Sequence, residues 1–243
     1  MERGRSRKAR SGCLGRIFGF VLFLIVAAVG VIAAVKYMPS RERADLDALY
    51  AAGGSDRVAL YLNYERQEES GVYVDGQTYL PATWVDANLN ERFYWDANEE
   101  ILVYALPEEI VKSDETTVDE DGKKILYRDG DAVYLSLALI QKYTDVRLQA
   151  YDGEAQKRVF VENNWDPVTV ADAAWSAKIR LRGGLKSPIV TEIKRGGTVT
   201  VLEQYDNWAR VMTPDGHIGY MRKWKMKNLH EETLKSDFTA PVY

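Results

Sequence analysis

Residues Thr198 to Met221, TVTVLEQYDNWARVMTPDGHIGYM, decide the fold that we predict for the second half of this chain. Apolar and polar side chains alternate in this stretch, and Gly, Pro and Asp-Gly interrupt the alternation. A period of two predicts strands that bury one face. The predicted strands are Ala177–Leu181, Val190–Ile193, Thr198–Leu202, Trp208–Met212 and Ile218–Met221. Short strands so closely spaced predict a small all-β barrel, which we place at residues 168–230.

The same region resembles the bacterial SH3 domain family through several motifs in the family's order. These motifs are Ile179-Arg180, Lys186-Ser187-Pro188-Ile189-Val190, Gly197-Thr198-Val199-Thr200-Val201, Asn207-Trp208-Ala209-Arg210-Val211 and Asp215-Gly216-His217-Ile218-Gly219-Tyr220-Met221. A basic run, Arg222 to Lys227, replaces the family's usual serine-rich end. The resemblance implies an SH3-like β-barrel that binds cell-wall peptidoglycan or a related glycan.

Five aromatic or acidic residues of this region are the candidate ligand-binding residues. Aromatic rings stack on the apolar faces of sugars, and their polar atoms form hydrogen bonds. Trp224 lies among cations, which disfavours burial and suggests contact with an anionic wall polymer. The resemblance places Tyr205 and Asp206 in a loop that borders the SH3-type groove. The full candidate set is Tyr205, Asp206, Trp208, Tyr220 and Trp224. Core packing is the alternative role for Trp208 and for most strand tyrosines.

The turn-rich segment Asn163–Pro167 predicts a boundary with a preceding domain at residues 41–163. That domain contains an internal duplication, in which each copy has a hairpin, a short helix and a second hairpin. The corresponding segments are Val74–Pro81 with Arg128–Ser136, Trp84–Leu89 with Leu137–Tyr143, and Trp95–Tyr104 with Tyr151–Phe160. An Asp-Gly pair is expected to form the first tight turn of each copy, because Gly adopts positive φ without steric cost. We expect both copies to be β-rich and to share one core.

Upstream of the duplication, Arg41–Ala52 predicts a short amphipathic helix and Val58–Leu62 predicts a strand. The region Val58–Asn163 resembles the copper amine oxidase N-terminal-like domain, through its two Asp-Gly hairpins and their spacing. This is an α+β stalk module common in secreted proteins of Gram-positive bacteria. Such modules carry neither the copper ligands nor the oxidase chemistry. The two histidines of the chain, His217 and His230, both lie outside this region.

Residues Ile17 to Val35, IFGFVLFLIVAAVGVIAAV, contain no charged or strongly polar side chain. At about 1.5 Å of rise per residue, such a helix is long enough to cross a bilayer. Basic residues dominate positions 1–16, and the positive-inside rule places this tail in the cytoplasm. We therefore expect a single transmembrane helix at 17–35, with everything from about Ser40 outside the cell membrane. A cleaved signal peptide is the alternative, but its apolar region is usually shorter.

Charge and cysteine content narrow the classes of function. The chain has 32 Lys and Arg and 36 Asp and Glu. The segment before the apolar run has many more basic than acidic residues, so the part from Arg41 onward is strongly acidic. An acidic surface argues against nucleic-acid binding, which needs clustered Lys and Arg. Cys13 is the only cysteine, so no intramolecular disulfide is possible.

No catalytic, metal or cofactor motif is evident in the sequence. With one cysteine and two histidines, a metal site of the His/Cys type is not expected. His217 follows an Asp-Gly pair and is expected to face solvent rather than to bind a ligand. The carboxylates at Asp114–Glu115 and Asp119–Asp121 lie in a polar segment, Lys112–Lys124, and are expected to be solvated. We therefore expect no catalytic residues, no bound metal and no cofactor.

Three functions fit these observations. The first is a membrane-anchored envelope protein whose SH3-like domain binds peptidoglycan or a related glycan, without catalysis. The second follows from the order of modules, which resembles the front of clostridial family-18 glycoside hydrolases. Residues 231–243 would then lead into a missing hydrolase domain, and the chain would be the targeting half. The third is an envelope scaffold or sensor that binds proteins, since fold does not fix function.

Overall fold

The computed structural model describes residues 12–50, 54, 56–106, 109–153, 155–236 and 238–239. The fold is mainly β, with three sheets and a few helices. The helices are α1 (Gly12–Tyr37), α2 (Leu46–Leu49), α3 (Ala82–Asn88) and α4 (Leu137–Tyr143), with a 3₁₀ turn at Lys223–Lys225. The strands are β1 (Arg57–Leu62), β2 (Glu65–Val74), β3 (Gln77–Pro81), β4 (Phe93–Asp96), β5 (Ile101–Ala105), β6 (Ile110–Ser113), β7 (Leu126–Asp129), β8 (Ala132–Ser136), β9 (Arg147–Tyr151), β10 (Arg158–Glu162), β11 (Val168–Ala173), β12 (Ala177–Arg180), β13 (Ile189–Ile193), β14 (Thr198–Gln204), β15 (Trp208–Met212), β16 (Ile218–Arg222) and β17 (Met226–Glu232).

Helix α1 contains the predicted apolar run. Its segment Ile17–Tyr37 is long and apolar enough to cross a membrane, and none of its most apolar part is buried against protein. Length and composition fit either a membrane span or a signal sequence near the N-terminus. The basic residues from Arg3 to Arg10, on which the predicted orientation depends, lie outside the described residues.

The first unit is built on a seven-stranded sheet with the order β7-β8-β3-β2-β1-β10-β9. Strands β3 and β8, one from each predicted copy, pair antiparallel in its interior, with Leu80 opposite Leu135. Strand β1, at the start of this unit, pairs in parallel with β10, at its end. Strands β4, β5 and β6 form a separate three-stranded sheet. The second hairpin of the first copy therefore leaves the main sheet, whereas its counterpart β9–β10 stays in it.

The two copies also differ in their first turns. In the first copy, Asp75 and Gly76 both have positive φ, +50° and +80°, as a two-residue turn of the mirror-image type requires. In the second copy, Asp129 pairs with Ala132, so the turn consists of Gly130 and Asp131. The predicted position of the turn is thus wrong by one residue in the second copy. There the first turn residue, Gly130, has the positive φ.

Helix α4 lies where the sequence predicted it. The Ser136 side chain accepts a hydrogen bond from the backbone N–H of Leu139, which caps the first turn. Helix α3 begins two residues before the predicted Trp84. Trp84 on α3 and Ile140 on α4 are fully buried in a core shared by both copies. Of the predicted helix at Arg41–Ala52, the described residues 41–50 contain the single turn α2, and residues 51–52 lie outside the described residues.

The second unit is a seven-stranded sheet with the order β13-β12-β16-β15-β14-β11-β17. It contains the five predicted strands and two that were not predicted, β11 and β17. Its core consists of small and medium apolar side chains, Ala171, Ala173, Ala177, Ile179, Ile193, Val199, Val201, Ala209, Val211, Met221 and Met226. Among the described strands, β13 and β17 are the edges and do not pair with each other. Among the described strands, no ladder closes this sheet into the small barrel that the sequence predicted.

A third apolar cluster joins the two units. Tyr50, Ala59, Tyr61 and Phe160 from the first unit pack around Met212 of the second. The expectation that His217 faces solvent is wrong, because only 8% of its surface is exposed. The Asp-Gly turn that carries it packs into this interface instead of projecting from the sheet.

Strand β13 would be an open edge, but the segment after helix α1 covers part of it. Arg43 forms a parallel bridge with Ile189. The Ile189 N–H donates to the carbonyl of Glu42, and the Ala44 N–H donates to the carbonyl of Ile189. An edge strand has unpaired backbone groups, which this segment satisfies. The sequence had assigned residues from 41 onward to the first unit, yet this segment hydrogen-bonds with the second.

Candidate ligand-binding groove

The outer face of strands β15 and β16 carries alternating aromatic and cationic side chains. Ala209 and Val211 point into the core, so Trp208 and Arg210 point outward and are half-buried. Trp208 is paired across the ladder with Arg222. The Arg222 guanidinium carbon lies 4.6 Å from the centroid of the Trp208 ring, within the range of a cation–π contact.

A groove of about 660 Å³ runs past this stacked pair. Its lining comprises Pro39, Ser176, Ala177, Lys178, Arg180, Leu185, Glu192, Trp208, Arg222, Trp224 and Lys225. The β12–β13 loop approaches one side of Trp208, since a methyl group added at Gly183 would lie 3.4 Å from the Trp208 Cγ. The groove thus presents two tryptophan rings and several cations to one ligand-sized space.

Trp224 is the most exposed aromatic side chain of the groove, with 66% of its surface accessible. It lies in the 3₁₀ turn between β16 and β17. The Lys225 ammonium is 5.4 Å from its ring centroid and also donates to the carbonyl of Ser176, 2.8 Å away. A fixed cation beside an exposed ring suits a ligand that is both anionic and apolar on one face.

The groove has a positive lining on an otherwise acidic part of the chain. Its cations are Lys178, Arg180, Arg222 and Lys225, and its one carboxylate is that of Glu192. Glu192 is 3.6 Å from Arg43, which partly compensates its charge. Arg180 is buried, burial lowers its pKa, and its guanidinium donates to the carbonyls of Ser187 and Ser40. Arg180 therefore fixes the shape of the groove, while the other three cations can meet a ligand.

Tyr205 and Tyr220 form a second aromatic pair, with ring centroids 5.9 Å apart. The Tyr205 hydroxyl donates to the Glu203 carboxylate, and its backbone N–H donates to the carbonyl of Trp208. The hydrogen bond to Glu203 is the largest cause of a raised Tyr205 pKa, followed by a hydrogen bond with Tyr220. Tyr220 lies on the same outer face as Arg222, because both side chains alternate with buried Met221.

The structure therefore places four of the five predicted residues in two neighbouring groups. Trp208 and Trp224 line the groove, while Tyr205 and Tyr220 pair beside it. Asp206 is exposed in the loop between β14 and β15, outside the groove lining. Trp208 is half-buried, so its ring packs in part against the protein and in part lines the groove.

Sequence reasoning missed Pro39 and Lys178 as lining residues. Lys178 alternates with buried Ala177 and Ile179, so its outward direction was available from the strand pattern. Pro39 comes from far earlier in the chain, and its place in the groove depends on the contact of the segment after α1 with strand β13. No local signal in the sequence indicates that contact.

In the polar segment Lys112–Lys124, the side chain of Asp114 has a local structural role. The Asp114 carboxylate accepts hydrogen bonds from the Thr116 hydroxyl and backbone N–H and from the Thr117 hydroxyl. These bonds, those from Thr116 first, lower the pKa of Asp114. Within the described residues, no group of three or more His, Cys, Asp or Glu side chains is arranged to hold a metal ion.

Residues 175–226 match the family model of the bacterial SH3 domain. The matched segment runs from just before β12 to the start of β17, and it contains all five predicted binding residues. Domains of this family commonly bind cell-wall peptidoglycan. No protein of curated function shows significant similarity to the chain. The resemblance of the first unit to copper amine oxidase N-terminal-like domains stays a prediction, as does the link to family-18 hydrolases.

Proposed function

We propose that this chain is a membrane-anchored, extracytoplasmic protein of the cell envelope, and that its SH3 domain binds peptidoglycan or a related wall glycan without catalysing a reaction. Two features support the two parts of this proposal. The apolar helix α1 supports anchoring, and the groove between Trp208 and Trp224 in the matched domain supports glycan binding.

The single observation that carries the binding proposal is the combination of ring faces and cations in one groove. A sugar ring stacks its C–H face on an exposed indole, and Trp224 offers such a face. Carboxylates of a peptide stem, or phosphates of an anionic wall polymer, pair with Arg222, Lys178 and Lys225. Arg222 is held by its stack on Trp208, so it loses little conformational freedom when it binds.

Sedimentation with insoluble purified peptidoglycan tests this part of the proposal. The full chain in detergent is mixed with peptidoglycan, and the fraction in the pellet is measured against polymer concentration. The proposal expects saturable pelleting that weakens at least about tenfold in Trp224→Ala, in the range seen for exposed interface aromatics. The matched control is Trp175→Ala, because Trp175 is also exposed and also lies beside a cation, Arg195, but outside the groove.

The outcomes of this experiment separate the alternatives. No pelleting above an unrelated protein contradicts glycan binding and leaves the scaffold or sensor function. Equal loss in the Trp224 and Trp175 variants contradicts the groove as the site. Release of soluble sugar from the polymer by the purified chain contradicts the non-catalytic part of the proposal.

The anchoring part is tested separately by accessibility in intact cells. Gly153 lies in the first unit, and a side chain added there meets nothing within 4 Å. A Gly153→Cys chain that also carries Cys13→Ser is treated with a membrane-impermeant maleimide. The proposal expects labelling without lysis and retention of the chain in the membrane fraction. Labelling only after lysis would place the β units inside the cell, and a chain free in the medium would indicate a cleaved signal peptide.

A further inference from the structure

The connection between helix α1 and the SH3 domain has almost no free length. The helix ends at Tyr37, and the backbone N–H of Ser40 already donates to the carbonyl of Leu185, 2.8 Å away. Only Met38 and Pro39 lie between the helix and this contact. Because the three residue steps from Tyr37 to Ser40 span at most about 11 Å, the SH3 domain stays close to the end of the helix while this hydrogen bond is formed.

Side chains of the SH3 domain tighten this connection. The Lys186 ammonium donates to the backbone carbonyl of Val35, 2.6 Å away. Val35 lies inside the last turn of the segment that is apolar enough to cross a membrane. Lys186 therefore lies at the level at which such a helix leaves the hydrocarbon layer. Lysine side chains at this level place their ammonium group among lipid head groups.

The surface around this junction is basic. The β12–β13 loop, LRGGLKSP at Leu181–Pro188, contains two cations and no carboxylate. Its cations, Arg182 and Lys186, are exposed, as is Lys36 in the last turn of α1. We call Lys36, Arg182 and Lys186 the juxtamembrane patch.

The residues that connect α1 to the sheet are also rich in basic and exposed aromatic or apolar side chains. The connecting segment adds Arg41 and Arg43 against Glu42. Tyr37 and Met38 are also exposed, with 65% and 57% of their surfaces accessible. Exposed aromatic and basic residues at the end of an apolar helix are typical of a lipid–water interface.

We propose that the juxtamembrane patch binds the phosphate head groups of anionic lipids in the membrane that holds α1. This inference rests on the anchoring part of the proposed function and is independent of glycan binding. Each basic side chain near an anionic surface strengthens binding about fivefold, and the effect decays within about 8 Å at physiological salt. Lys36 in the last turn of α1 and Lys186 at the Val35 carbonyl lie at the end of the helix, and Arg182 shares the loop of Lys186.

This docking has a consequence for the groove. Pro39 lines the groove and is only two residues from the end of the helix. With the patch on the head groups, the groove opens next to the membrane surface. Under the glycan-binding part of the proposed function, the ligand of the groove is then the part of the wall glycan that lies closest to the membrane.

Lipid-dependent fluorescence quenching tests the patch in the full chain. Gly184 lies in the β12–β13 loop, and a side chain added there meets nothing within 4 Å. A bimane label is attached to Gly184→Cys in a Cys13→Ser chain, which is then placed in nanodiscs that contain nitroxide head-group lipids. The discs consist of phosphatidylcholine with or without phosphatidylglycerol. The control label is at Gly153→Cys, in the first unit.

Binding of anionic head groups predicts quenching at position 184 that increases about twofold or more with phosphatidylglycerol and declines as salt is raised. The label at position 153 should show no such increase. In Arg182→Gln combined with Lys186→Gln, the increase at position 184 should disappear. The comparison of the two lipid mixtures needs no charge variant, so it stands even if the double variant fails to fold.

Equal quenching at position 184 in both lipid mixtures would overturn the proposal, as would an increase that survives in a folded double variant. If the chain does not co-purify with nanodiscs, the anchoring part of the proposed function fails, and this inference fails with it. If the chain enters nanodiscs but shows no dependence on lipid charge, only this inference fails.

Discussion

The Tyr50 hydroxyl and Nδ1 of His217 lie 2.7 Å apart in a buried contact between the two β units. Arg158 strengthens the same junction, with its guanidinium carbon 4.8 Å from the Tyr50 ring centroid and one nitrogen donating to the carbonyl of Asp215. Burial is the main reason that the pKa of Tyr50 is raised above its usual range. The first unit is thus bonded to the turn that precedes β16 of the SH3 domain.

Removing the Tyr50 hydroxyl should destabilise the protein. In Tyr50→Phe, Nδ1 of buried His217 loses its 2.7 Å partner. We expect the free energy of unfolding to fall by about 1 kcal/mol, the usual net contribution of one intramolecular hydrogen bond. Urea denaturation of the full chain in detergent, followed by circular dichroism, measures this change. The control is Tyr94→Phe, because Tyr94 is 63% exposed. Equal stability of the two variants would show that the contact contributes nothing.

The two groove tryptophans should separate binding from stability. Trp224 is exposed, so Trp224→Ala should weaken glycan binding and leave the melting temperature unchanged within about 2 °C. Trp208 is half-buried against Gly183 and Arg222. Trp208→Ala should weaken binding and also lower the free energy of unfolding by about 2 kcal/mol, since it removes a partly buried aromatic ring. Thermal denaturation beside the peptidoglycan assay distinguishes the two variants.

The conservative variant Trp208→Phe keeps an aromatic ring beside Arg222. It should recover most of the stability and part of the binding. If Trp208→Ala weakened binding without loss of stability, the packing role of this residue would be refuted.

Tyr205 should titrate at higher pH than an ordinary tyrosine. Its hydroxyl donates to the Glu203 carboxylate, and loss of the proton would place two negative charges side by side. Because the pKa is raised in the folded state, the stabilisation is complete below the usual tyrosine pKa of about 10 and is lost as pH rises through the folded pKa. Tyrosine-selective ¹³C NMR, assigned with Tyr205→Phe, measures the titration. Glu203→Gln should lower the Tyr205 pKa toward the ordinary value, and an unchanged titration would exclude Glu203 as the cause.

Gly216 should not tolerate a side chain. Its φ is +71°, and a methyl group added there would lie 2.5 Å from Cε2 of Tyr151 in the first unit. Gly216→Ala combines a left-handed backbone cost of about 1–2 kcal/mol with a clash against this ring. We expect a clear fall in melting temperature and increased protease cleavage. Gly153→Ala is the matched control, because its added methyl group meets nothing within 4 Å. Equal melting temperatures would contradict the packing of the turn between the units.

Local patterns were sufficient to predict much of the secondary structure. Strand β15 begins and ends where the alternation at Trp208–Met212 predicted it. Helix α4 matches its prediction because Ser136 supplies a local cap and the buried positions repeat with helical spacing. Strands β11 and β17 were missed. Strand β17 has an almost entirely exposed pattern, so it offers no apolar alternation to detect.

Features that depend on distant parts of the chain could not be predicted. Asp215-Gly216 is a good surface-turn signal, yet His217 is buried because the Tyr50 hydroxyl of the other unit contacts its ring, while Arg158 donates to the carbonyl of Asp215 in the same turn. The contact of Ser40 with Leu185 likewise depends on an edge strand that is formed far along the sequence. The aromatic part of the candidate site was found from residue type and family resemblance. Its inclusion of Pro39 and its closeness to the helix end required the tertiary structure.

Calorimetric titration of the full chain with soluble, muramidase-released peptidoglycan fragments tests the central claim most directly. If the SH3 groove is a glycan site, binding should be saturable in the wild-type chain, unchanged in Trp175→Ala, and weakened at least about tenfold in Trp224→Ala. Because Trp224 is exposed, that variant should remain fully folded, so a loss of binding would report the site alone. No binding by the wild-type chain, or equal affinity in the wild-type and Trp224→Ala chains, would contradict the claim.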